Sequence, residues 1–69
     1  MENFIKLTDL FKDKLILVNA TLIQSIHEQT NGSYLIMSFG NNSAIHVKET
    51  PDQIIGLIEQ NEYFTIKNR

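Results

Sequence analysis

Apolar and polar positions change rhythm several times along this 69-residue chain, and each change marks an element. Residues 3–8 (Asn3-Phe4-Ile5-Lys6-Leu7-Thr8) alternate, with Ile5 and Leu7 on one face and Phe4 and Lys6 on the other, which predicts a strand. Asp9 to Lys14 is charged and breaks the alternation, so a turn is expected there. Phe11, inside that turn, is expected to lid the open edge of the core or to meet a partner. Leu15-Ile16-Leu17-Val18 is an unbroken apolar run, the signature of a strand covered on both faces. One helix covers only one face of a lone sheet. The second cover is expected from a dimer, or from a sheet curled onto itself.

The rhythm continues through Asn19 to Leu22, a short connection in which Asn19 can cap a single helical turn. Ile23 to Thr30 resumes as a strand and Tyr34 to Phe39 returns. Between them Asn31-Gly32 predicts a two-residue type I′ turn, which requires positive φ at both residues. Gly40-Asn41-Asn42-Ser43 marks a second turn. Ala44 to Lys48 is the next strand, with Ile45 and Val47 on one face and His46 and Lys48 on the other. Residues 23–48 thus read as a three-stranded meander.

A helix start follows. Thr50 is a good N-cap, Pro51 suits the first helical position, Asp52 favours the positive end of the dipole, and Gln53 completes a capping box. Ile54, Ile55, Leu57 and Ile58 mark an apolar face at helical spacing, predicting a helix from 51 to about 60. Gly56 weakens it by about 1 kcal/mol relative to Ala. Tyr63-Phe64-Thr65-Ile66 has strand composition, so the tail 61–69 is expected to add an edge strand or to dock on another subunit. The expected fold is α+β: one domain over 1–60, with a small antiparallel sheet of about four to five strands followed by one C-terminal helix.

Composition sharpens this picture in one respect. A chain of this length buries only about 60% of the surface its unfolded form exposes, so its core needs reinforcement. There is no cysteine, which removes disulfides and thiolate metal sites. Association remains, and a homo-oligomer is expected. Hydrophobic content of 42% argues against disorder. The net charge of −2 lacks the basic field of a nucleic-acid-binding domain. No run approaches the roughly 18 apolar residues of a membrane span, and Met-Glu-Asn-Phe-Ile-Lys is not a secretory start. A cytoplasmic protein without membrane insertion is expected.

Candidate chemistry is thin. No glycine-rich loop opens a helix, and no serine has the strand–turn–helix setting that activates a nucleophile. Neither an enzyme nor a cofactor is expected. His27 and His46 could ligate a divalent ion, but they fall on strands separated by a third and lack a close-spaced third ligand. No metal site is therefore expected. Lys6, Lys48 and Tyr34 could form a stacking and charged sheet face for nucleic acid, the alternative reading. The leading expectation is a non-catalytic interaction module, with Phe4, Phe11, Tyr34, Tyr63 and Phe64 as contact residues for a second copy or another protein.

The opening Phe4-Ile5-Lys6-Leu7-Thr8-Asp9-Leu10 resembles the start of the short FlbD/SwrD-type flagellar proteins, Ile-x-Leu-Thr-x-Leu. Val18-Asn19, then Leu22-Ile23 and Ile26, follow in that family's order, and Val47-Lys48-Glu49-Thr50 is similar to its entry into the helix. The resemblance covers residues 4–58. It implies a small cytoplasmic accessory protein for motility without enzymatic activity, and supplies no active site.

Overall fold

The computed structural model describes the backbone of residues 3–38 and 44–67, and side chains over 3–38 and 44–60. The elements are β1 (Phe4–Thr8), β2 (Leu15–Asn19), a 3-10 turn (Ala20–Leu22), β3 (Ile23–Gln29), β4 (Gly32–Met37), β5 (Ala44–Val47) and α1 (Pro51–Lys67). β1 and β2 form an antiparallel hairpin, and β3-β4-β5 form the expected meander. The fold is α+β, as expected. The second predicted turn, Gly40–Ser43, lies outside the described residues.

The two sheets are stitched together where β1 ends. Leu10 N donates to His46 O at 2.9 Å, Lys48 N donates to Thr8 O at 2.9 Å, and Asp9 bridges Val47. The Glu49 carboxylate reinforces the seam, accepting from Thr8 N and from Thr8 Oγ1, each at 2.9 Å. The strand sequence across the molecule is therefore β2-β1-β5-β4-β3. The core on its inner face comprises Ile5, Leu7, Val18, Leu35, Met37, Val47 and Ile54, all buried. Each such side chain contributes about 1.5–3 kcal/mol by leaving water. Ser33 is the buried polar residue among the described ones, and its hydroxyl donates to Glu49 O at 2.7 Å.

Local signals explain most boundaries. Asn19 Oδ1 accepts from Thr21 N at 3.1 Å, the expected cap of the short turn. The capping box closes in both directions, Gln53 N to Thr50 Oγ1 at 3.2 Å and Thr50 N to Gln53 Oε1 at 2.9 Å. In the β1–β2 loop, Asp9 Oδ2 accepts from Phe11 N and Lys12 N, and Asp13 turns the chain with φ 57°. None of the described helices is long and apolar enough to cross a membrane.

Two expectations are corrected and one, the cover of β2, is narrowed. The β3–β4 hairpin turns at Thr30-Asn31 rather than Asn31-Gly32, because Gln29 pairs with Gly32. Neither loop residue has positive φ, so the turn is not type I′. Gly32 instead opens β4 at φ +153°, where a Cβ would lie 2.0 Å from Val47 O. Glycine is needed there because the end of β5 passes against its Cα.

β2 is not covered on both faces within the chain: Ile16 and Val18 face the core, whereas Leu15 is 65% and Leu17 50% exposed. Finally, α1 runs to Lys67 instead of stopping near 60. No Pro or Gly interrupts 61–67, and extending an existing helix adds one hydrogen bond per residue fixed. The backbone of Tyr63–Ile66 is therefore helical and forms no edge strand.

Candidate interaction surface

The outer face of the sheet gathers the predicted site residues through its register. His27 lies opposite Tyr34, and Tyr34 opposite His46, so strict alternation sets all three on the same side of β3, β4 and β5. His27 stacks on Tyr34 with ring centroids 4.6 Å apart and planes inclined by 10°. Tyr34 and His46 follow at 5.8 Å and 38°, and Phe11 reaches back from the β1–β2 loop to close the row, 5.3 Å from His46. Phe11 is 75% exposed, so it shelters a rim of the outer face and does not lid the core.

Within this row only His27 and Tyr34 lie face to face; the other two pairs are tilted. Tyr34 stands between the two imidazoles, so His27 and His46 do not converge on a common ion, and the described residues contain no cluster of His and carboxylates suited to a metal. Ser25 Oγ lies 2.8 Å from His27 Nε2 and steadies that ring. The Nδ1 atom of His46 is buried and lacks a hydrogen-bond partner.

The two lysines of the sheet face differ. Lys48 forms an ion pair with Asp13, which ties the β1–β2 loop to the end of β5. Lys6 stands on β1 directly opposite Leu17. Tyr63 and Phe64 lie on α1, but their side chains fall outside the described residues.

A second, apolar surface lies around β2. Leu15 and Leu17 project from its outer face, and beside them opens a cleft of about 260 Å³ lined by Phe4, Leu17, Val18, Asn19, Leu22, Met37 and Ile45. Phe4 (37% exposed) and Leu22 (36%) form its lips. Asn19, its polar member, already binds Thr21 through Oδ1. Such a cleft suits an aliphatic or aromatic side chain better than a polar ligand.

Of the expected contact residues, Phe4 belongs to this apolar surface, whereas Tyr34 and Phe11 belong to the ring row. Sequence reasoning missed Leu15, Leu17 and Leu22 as surface residues. The available signal was the apolar run itself: a run that suits a doubly covered strand marks an open flank when that strand lies at the sheet margin. Comparison of the chain with protein-family models, with curated proteins and with solved structures found no match.

Proposed function

We propose that this protein is a non-catalytic interaction module that acts as a homo-oligomer. The observation that carries the reading is the exposure of Leu15 and Leu17, at 65% and 50%, beside the apolar cleft. The core of a 69-residue chain is small, and two leucines left in water on one strand forfeit burial that a partner restores. The resemblance to FlbD/SwrD-type proteins suggests motility as the setting in which the module works.

Nucleic acid is the less favoured partner. Its bases need free ring faces and unpaired cations, whereas Tyr34 is stacked on His27 and flanked by His46, and Lys48 is paired with Asp13. Light scattering across micromolar to millimolar concentration tests the reading. A mass rising above the 8.0 kDa of one chain is expected, and a constant monomer mass across the range refutes it.

A further inference from the structure

We infer that two copies of this chain pair through the edge of β2 that no described strand covers, antiparallel and about a two-fold axis at Ile16, so that each Leu15 lies opposite the other copy's Leu17. This rests on the self-association reading above and specifies its geometry.

The hydrogen-bond parity of the β1–β2 ladder shows which backbone groups are available. Ala20 N donates to Asn3 O at 2.7 Å and Asp9 N donates to Lys14 O at 2.8 Å, one bond at each end of the hairpin. Bonded pairs recur every second residue in an antiparallel ladder. Ile5–Val18 and Leu7–Ile16 are therefore bonded pairs, while Lys6–Leu17 and Thr8–Leu15 are not. An independent bond agrees, since Thr8 O accepts from Lys48 N on the side away from β2. The N–H and C=O groups of Leu15 and Leu17 consequently point out from the far side of β2 in the plane of the sheet, while their side chains stand exposed on its outer face.

The two margins of the assembled sheet differ in how they are defended. β3 carries a register shift between Ile23 and Ser25, with exposed Gln24 and Glu28, devices that discourage a further strand. β2 reads Leu-Ile-Leu-Val-Asn: five residues with no charge, no proline and an unbroken register to β1. An edge left this regular and apolar is a template for another strand.

A second copy fits it with the outward backbone groups matched. An outward-bonding residue must meet an outward-bonding residue. A two-fold at Ile16 pairs Leu15 with Leu17 twice, clusters four leucines on the outer face and makes four new backbone bonds. A two-fold at Leu17 would instead set Leu15 against Asn19. The result is a continuous sheet β1-β2-β2-β1 across the pair.

The absence of cysteine makes the register directly readable. Leu15→Cys and Leu17→Cys chains are mixed in equal amounts under mild oxidant. The hetero-disulfide, joining position 15 of one copy to position 17 of the other, is expected to dominate, because paired strand residues sit within disulfide reach. Dominant disulfides between like positions, 15 with 15 or 17 with 17, overturn the register. In parallel, Leu15→Pro removes one outward N–H while sparing every β1–β2 bond, so circular dichroism should remain native while the dimer dissociation constant rises about tenfold or more.

A chain that dimerises with wild-type affinity when carrying Leu15→Pro, and whose two cysteine variants form no hetero-disulfide, overturns the edge geometry while leaving self-association standing. A wild-type chain that stays monomeric to millimolar concentration, including one that captures a different polypeptide on β2, overturns both.

Discussion

Gly32→Ala is the most informative perturbation of the fold. At this position φ is +153°, outside the range an L-residue adopts comfortably, and the added Cβ would sit 2.0 Å from Val47 O and 2.9 Å from Lys48 Cα. Both neighbours are backbone, so neither can swing aside as a side-chain tip could. Backbone strain of this kind costs about 1–3 kcal/mol, and forcing an extra methyl into a filled space costs about 1–3 kcal/mol more. The sum, about 2–6 kcal/mol, compares with a total stability of roughly 3–10 kcal/mol for a chain of this length.

With a urea slope of about 1 kcal/mol/M for so small a domain, the unfolding midpoint should fall by about 2 M or more. The neighbouring Asn31→Ala serves as the control. Asn31 is exposed and its φ is negative, so its stability should move by no more than about 0.5 kcal/mol. Urea titrations followed by circular dichroism decide. Equal losses from the two variants, or an unchanged midpoint for Gly32→Ala, refute the reasoning that β5, and not the turn, demands this glycine.

Other outcomes follow from the same packing. Gly56→Ala should stabilise the chain by about 1 kcal/mol, since a Cβ there meets nothing within 4 Å; thermal unfolding reads the gain, and a loss would mean α1 is not where it is described. Ser33→Ala should cost about 1–3 kcal/mol in urea, because the buried hydroxyl that holds Glu49 O is removed; a cost below about 0.5 kcal/mol, on the order of an ordinary surface change, would contradict that bond. Phe11→Ala should leave stability within about 0.5 kcal/mol yet shift the His46 ring protons in NMR spectra, since the exposed ring lies tilted against His46 without entering the core.

How much of this was legible in the residues depends on the range of the forces involved. The capping box at Thr50 and Gln53, and the Asn19 cap, were legible because each is settled within three residues. The meander was legible from alternation, but its register was not. A turn at Asn31-Gly32 would pair Tyr34 with Gln29, whereas the turn at Thr30-Asn31 pairs it with His27 and so builds the stacked row. That two-residue slip is enforced by the close passage of β5 at Gly32, a contact between residues distant in the chain. The apolar run of β2 was only partly legible for a similar reason. Period alone says that Leu15 and Leu17 want cover, but only the topology, which places β2 at the margin, shows that their side chains stand exposed.

The seam between β1 and β5 carries a consequence for how the chain acquires its shape. Thr8 and Glu49 are 41 residues apart, yet one carboxylate holds the other residue by both its amide and its hydroxyl. Closing so long a loop costs entropy that only the completed seam offsets. An amino-terminal fragment ending before Val47 can fold its first hairpin but lacks the strand that stitches it to the meander. On a translating ribosome, then, β1 can pair with β2 as soon as both are made, but its other side waits in water until β5 has emerged.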